Sequence, residues 1–213
     1  MDSGAPIVKP CPNHNKSLGR REANRAGIIS ALFDYLLGTG ADSMDLKNII
    51  RTIPDFPKPG IQFKDIESIT EHPEAFAHVV DRFADAMDAH DIDKIVALDA
   101  RGFLFGGALG LRRKLPIVMA RKKGKLGGDC VAETYALEYG SAEVELQKTA
   151  IKQGDKVMII DDLLATGGTA AAAAALVDQV GGNVTLFAFV IELAELNGRA
   201  QLGDVDTVSL VSF

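Results

Sequence analysis

An α/β fold with a central, mainly parallel sheet flanked by helices is predicted by three observations on this 213-residue chain. Short apolar runs recur that read as buried strands, amphipathic or alanine-rich segments separate them, and strands alternating with helices imply a parallel sheet covered on both faces. The composition agrees: 47% hydrophobic and 24% charged residues describe an ordinary globular chain with a sizeable core, and the length suits one domain.

Residues 1–43 differ from the rest of the chain. Pro6, Pro10 and Pro12 precede a basic run of Lys16, Arg20, Arg21 and Arg25, and the apolar stretch 26–37 is interrupted by Asp34 without a stop-transfer pattern after it. The expectation is an N-terminal extension, 1–43, outside a catalytic domain spanning 44–213, with Met44 able to serve as a start of its own. From there Leu46–Thr52 reads as a short helix, and Ile53–Gly60, with Pro54, Pro57 and Pro59, as a rigid loop, since proline excludes both helix interior and central strand. After Pro73, well placed at a helix N1 position, Phe76, Val79, Val80, Phe83 and Met87 recur at three- and four-residue steps, the stripe of a helix packed on one side. Ile95–Leu98 reads as a buried strand, Phe103–Leu111 as helix and Pro116–Met119 as strand. Glu143–Ile151 and Lys156–Ile160 come next as strands, Thr169–Val180 as an alanine-rich helix and Val184–Ile191 as a further apolar strand.

Several function classes drop out. The net charge of −6 argues against a duplex nucleic acid partner. No stretch approaches the ~18 apolar residues of a membrane span, so no membrane partner is expected. Two cysteines, Cys11 and Cys130, are too few for a disulfide framework, which points to a reducing, cytoplasmic compartment. His14, His72, His78 and His90 do not cluster in sequence, so neither a zinc site nor histidine catalysis is expected.

The chemistry concentrates after the strand Val157–Ile160, which runs into Asp161-Asp162, then Leu163-Leu164-Ala165-Thr166-Gly167-Gly168-Thr169, then a helix. Two glycines let the backbone curl so that several N–H groups point inward, and with the helix N-terminus they suit a dianionic phosphate. Thr166 and Thr169 add hydroxyl donors. Adjacent carboxylates would repel that phosphate unless they faced hydroxyls, as a ribose offers; phosphate on one side and sugar on the other imply a ribose 5-phosphate. Gly102–Gly110 lacks dinucleotide-fingerprint spacing and Gly124-Lys125 is not followed by Ser or Thr, so neither rival phosphate motif fits.

The full string 161–169 resembles the 5-phosphoribosyl 1-pyrophosphate (PRPP) signature of the type I phosphoribosyltransferases. Leu98-Asp99-Ala100-Arg101-Gly102-Phe103-Leu104-Phe105-Gly106 is similar to the pyrophosphate loop of the adenine-specific members. Further similarities are Ala120-Arg121-Lys122-Lys123-Gly124-Lys125-Leu126, Tyr135-Ala136-Leu137-Glu138-Tyr139-Gly140, and the proline-rich segment Ile53–Ile66. The resemblance covers nearly all of 44–213 in the family's order. It departs at Ala100, where many relatives have Ser, and at Lys64, where many have Arg.

That resemblance implies a type I phosphoribosyltransferase fold with a small N-terminal hood, approximately 44–68, and a mobile catalytic loop. It implies purine salvage: adenine N9 displaces pyrophosphate from C1 of PRPP, giving AMP. Ala165, Thr166, Gly167, Gly168 and Thr169 would anchor the 5-phosphate, and Asp161 and Asp162 the ribose hydroxyls. Arg101, Arg121, Lys122 and Lys125 would bind pyrophosphate, Arg121 by reaching across a dimer interface. Gln62, Phe63 and Lys64 would form the adenine site. Glu138 would share a proton with the purine from a flap that includes Tyr139, a segment with Gly127, Gly128 and little apolar content. Mg²⁺ is the expected cofactor, held by substrate oxygens and water rather than a protein cage, and a homodimer is the expected assembly. The alternatives are a PRPP-sensing regulator that has lost catalysis, or a phosphoribosyltransferase for another nucleobase.

Overall fold

The computed structural model of the protein describes residues 44–136 and 141–213. Helix α1 (Leu46–Ile49) is capped by Asp45, whose carboxylate accepts a hydrogen bond from Lys47 N. Arg51 and Thr52, expected in that helix, instead open strand β1 (Arg51–Pro54), which pairs antiparallel with β2 (Gln62–Asp65) in a small sheet of two strands. The cause is Asp65: its Oδ2 accepts from both Nε and Nη2 of Arg51, at 3.0 and 2.7 Å, a cross-strand ion pair that draws Arg51 into the ladder. In the intervening turn Asp55 Oδ1 accepts from Gly60 N at 2.7 Å.

A one-turn helix, α2 (Glu67–Thr70), leads to α3 (Pro73–Met87). Pro73 occupies N1, where its missing N–H leaves no intrahelical bond unmade. Val79, Val80, Phe83 and Met87 are buried as the spacing requires, with Phe76 partly buried against the same cluster.

The remaining elements build the main sheet: β3 (Lys94–Leu98), α4 (Gly102–Arg113), β4 (Ile117–Lys122), β5 (Cys130–Ala136), β6 (Ser141–Gln147), β7 (Lys156–Leu164), α5 (Gly168–Gln179), β8 (Asn183–Glu192) and β9 (Asp206–Ser212). Seven strands run in the order β5-β6-β4-β3-β7-β8-β9; β4, β3, β7, β8 and β9 are parallel, while β6 joins antiparallel to β4 and to β5. Alternate residues of β7 show both faces covered: Met158 and Ile160 lie in the cluster with α3 and α4, and Val157 and Ile159 in the cluster with α5.

Three differences from the sequence reading have local causes. β7 continues through Asp161 and Asp162 to Leu164, because β8 remains beside it, pairing Asp161 with Phe189 and Leu164 with Glu192. The two aspartates therefore sit on a strand, not in the loop. β6 stops at Gln147, where Ala150 N turns back to Gln147 O at 3.0 Å. β5 and β9 have no counterpart in the sequence reading; both are sheet edges, where a strand needs only part of an apolar face, and Val131 and Val211 are the buried side chains of each. Among the described residues no helix is long and apolar enough to cross a membrane.

Candidate active site

In parallel sheets, functional groups collect at the carboxyl ends of the strands. Here Arg101 follows β3, Arg121 and Lys122 end β4, and Asp161 and Asp162 approach the end of β7. Being successive on a strand, the two aspartates leave it on opposite faces. Asp162 is buried, and its Oδ2 accepts from Arg101 Nε at 2.6 Å. Its backbone N–H donates to Asp161 Oδ1 at 2.9 Å. Against the cost of burial, the charge and hydrogen bond of Asp162 hold the Arg101 guanidinium in its charged form.

Asp161 is held differently. Helix α4 begins so close to β7 that a Cβ on Gly102 would lie 2.8 Å from Ile160 O and 2.9 Å from Asp161 Oδ1. Burial, and then the neighbouring charge of Asp162, push the Asp161 carboxyl well above the ordinary carboxylate range.

Beyond β7 the chain turns through Ala165–Gly167 into α5. Gly167 has φ +86°, a conformation L side chains rarely adopt, and a Cβ there would also strike the carbonyl oxygen of Gly198. No side chain caps α5, and the first N–H groups of a helix have no intrahelical partners. A cavity of about 70 Å³, lined by Asp161 and by residues 163–170, opens at this turn. Next to it lies a larger one of about 380 Å³, between Glu133, Thr134 and Tyr135 of β5 and the α5 side, where Thr166, Gly168 and Gln201 contribute. A phosphate presented to this turn would meet backbone N–H donors and the positive end of the helix dipole.

The basic cluster divides. Arg121 is tied within its own chain, Nε to Asp99 Oδ2 at 3.2 Å and Nη1 to Lys125 O at 3.1 Å, which brings Arg121 and Lys125 together. Lys122 is exposed at the end of β4, and Lys123 pairs with Glu143 at 2.7 Å. On β2, Phe63 is half-buried with Phe56 edge-on to it, ring centroids 5.2 Å apart; it belongs to neither core cluster. Strand alternation places Gln62 and Lys64 on the other face. Lys64 Nζ donates to Thr52 Oγ1 at 3.0 Å and lies 3.9 Å from the centroid of the Phe213 ring. Glu138 and Tyr139 lie outside the described residues.

Residues 65–209 match the phosphoribosyl transferase domain family. An adenine phosphoribosyltransferase from Clostridium acetobutylicum is 48% identical over 170 residues, which make up 80% of this chain and 99% of the relative. The chain belongs to the adenine phosphoribosyltransferase family. Among solved structures, the adenine phosphoribosyltransferase of Thermoanaerobacter pseudethanolicus is similar with a TM-score of 0.76 at 45% identity, covering 78% of this chain and 97% of that one. The enzyme of Saccharomyces cerevisiae, solved with an imino-altritol bisphosphate and adenine, has a TM-score of 0.74 at 43% identity, over 78% and 96% of the two chains.

The type I phosphoribosyltransferase fold expected from the motif string is thus the fold observed. Two features of this family member escape the sequence reading. Asp99, which holds Arg121, reads there only as part of a motif string. Glu192 and the Gly198-Arg199 turn, which packs against the loop Ala165–Gly167, have no reading at all. A signal exists for the second: Asn197-Gly198 just past an apolar strand marks a tight turn, and Asn197 does adopt φ 51°.

Proposed function

We propose that this protein transfers the 5-phosphoribosyl group of PRPP to adenine, giving AMP and pyrophosphate, as a step of purine salvage. The observation that carries this reading is the Asp161–Thr169 unit: two carboxylates at a strand end, followed by a glycine turn into an uncapped helix beside a cavity of about 70 Å³.

Each group has a task. Backbone N–H groups of Ala165 through Thr169 hold the 5-phosphate, each charge-assisted bond worth about 1.5–3 kcal/mol, and this remote grip orients C1 for attack. Asp161 and Asp162 accept hydrogen bonds from the ribose hydroxyls. As the bond to pyrophosphate breaks, positive charge develops on the sugar, as in glycoside cleavage. The Asp161 carboxyl, raised in the free protein, is drawn back to its charged form by hydroxyl donors and by that developing charge. Stabilisation that grows towards the transition state is the kind that accelerates.

Arg101, with Nε on Asp162, would extend the rest of its guanidinium to pyrophosphate, joined by Arg121, Lys122 and Lys125. Mg²⁺ suits this site because burial raises the Asp161 carboxyl, and a nearby cation would favour its charged form; bound mainly through substrate oxygens and water, the ion would neutralise pyrophosphate charge. Adenine would lie against Phe63, with backbone groups near Gln62 and the Lys64 side chain at its edge. Glu138 would share a proton with the purine from the flap that includes Tyr139.

A homodimer is supported by an exposed apolar face. Leu104 and Leu111, seven residues apart on α4, and Ile117 and Met119, two apart on β4, all face outward, Leu111 being 82% exposed. Residues 1–43 are assigned to an extension outside the catalytic fold, since 170 residues of this chain account for 99% of the Clostridium relative. A cytoplasmic setting is inferred from the sparse cysteines.

The test is AMP formation from adenine, PRPP and Mg²⁺, run beside hypoxanthine, guanine and orotate, with the full chain and with one beginning at Met44. Adenine-selective turnover by both is the expected result. Tight PRPP binding without turnover on any base would overturn it in favour of a sensor.

A further inference from the structure

Behind the loop Ala165–Thr169 stands a turn with no role in the substrate contacts proposed so far. After β8 the chain makes two short 3₁₀ turns, Ala194–Leu196 and Gly198–Gln201. Gly198 is wedged against the loop: a Cβ on it would collide with Ala165 O and lie 3.0 Å from Leu164 Cδ1, while a Cβ on Gly167 would collide with Gly198 O. The two backbones pack with no side chain between them. The contact is reinforced upstream, where Leu193 N donates to Leu164 O at 2.9 Å.

The next residue fastens this turn to the sheet. Arg199 forks onto Glu192, Nε to Oε1 and Nη2 to Oε2, each at 2.7 Å, and its Nη1 and Nη2 also reach Thr207 O at 2.8 Å and Ser209 Oγ at 3.2 Å. It thereby ties the last residue of β8 to Thr207 and Ser209 of β9. Glu192 is buried, and the Arg199 hydrogen bonds hold its carboxyl below the ordinary range. On the loop side of this contact, Gly167 is in the left-handed region and α5 has no side-chain cap, so the loop meets the turn through backbone. A bidentate Arg–carboxylate pair fixes orientation as well as distance, which is what a backbone stop needs.

We propose that Arg199, anchored by Glu192, is a positioning residue for the 5-phosphate of PRPP, acting through Gly198 on the loop Ala165–Thr169. It touches no substrate. It sets the depth at which the loop N–H groups stand, and thus how well they meet a phosphate; a misplacement of about 1 Å at a distance from the chemistry can cost as much as ~100-fold. The inference rests on the reading of that loop as the phosphate site, and the experiment separates the two.

Steady-state kinetics are measured with PRPP and adenine varied in turn, for Arg199→Met, Arg199→Lys, Gly198→Ala and the loop double variant Thr166→Ala with Gly168→Ala. Arg199→Met and Gly198→Ala should each raise KM for PRPP by roughly tenfold while KM for adenine stays within about twofold, and Arg199→Lys should recover part of the loss. A role in general stability alone would move both KM values together or neither. Either result, with the loop double variant still weakening PRPP, overturns the inference and leaves the loop reading intact. If the loop double variant leaves KM for PRPP unchanged, the loop reading fails and the inference falls with it. Should Arg199→Met not fold, Arg199→Lys decides, since it keeps a cation on Glu192 but loses the fork: a rise in KM for PRPP alone supports the inference, and unchanged KM values overturn it.

Discussion

Arg101 Nε donates to Asp162 Oδ2 at 2.6 Å, joining the residue that follows β3 to one near the end of β7. The proposed pyrophosphate and ribose contacts are therefore not independent: removing either side chain releases the other from its partner. A double-mutant cycle with Arg101→Lys and Asp162→Asn should give non-additive effects on PRPP binding, with a coupling of about 0.5–3 kcal/mol. Additive effects would show that the pair does not persist in solution.

Asp161 is expected to weaken the free protein. Its carboxyl is raised in the folded state, so folding holds a proton that the unfolded chain releases. The resulting stability is complete below the ordinary carboxylate range and is lost as pH rises through that range towards the raised folded value. Asp161→Asn removes the titration. It should raise Tm of the ligand-free protein at neutral pH, by about 0.5–2 kcal/mol of stability, with the gain shrinking at low pH, while weakening PRPP. Thermal melts across pH, with and without PRPP, check both signs.

Gly102 admits no side chain. A methyl there would press on Ile160 O and Asp161 Oδ1 together, and backbone cannot swing aside as the end of a side chain can. Gly102→Ala should cost about 1–3 kcal/mol, measured by urea unfolding, and should lower turnover further by displacing Asp161.

Glu138→Gln should lower kcat by about 10²–10⁴ if Glu138 shares a proton with the purine, leaving the Kd for PRPP nearly unchanged. Full activity of Glu138→Gln across pH would remove that role from Glu138.

The helices and central strands are legible in the sequence because their signals are local. Pro73 with the Val79, Val80, Phe83 and Met87 stripe, and the continuous apolar run Val157 to Ile160, need no partner to be read. The string 161–169 is legible as chemistry because carboxylates, glycines and threonines stand in one short run. The features that escape depend on distant partners. β9 exists because β8 offers it an edge, Arg51 is a strand residue because Asp65 lies across from it, and Arg199 matters because Glu192 receives it. Asp99 and the Lys125 carbonyl, which bond Arg121 within this chain, are likewise partners that residue types do not announce. Residue types alone do not show which of several cations is already taken.

Among the described residues the strands β1 and β2 pair with each other and form no ladder with the seven-stranded sheet. Register in the large sheet, on which the placement of Asp161, Asp162 and Arg101 depends, is set by its own ladder and does not run through Gln62 or Phe63. With base choice proposed for one sheet and phosphoribosyl handling for the other, the two can diverge at different rates. A lineage could drift in the purine it prefers by substitutions in four-residue strands, while the machinery for its shared sugar donor stays under a separate constraint.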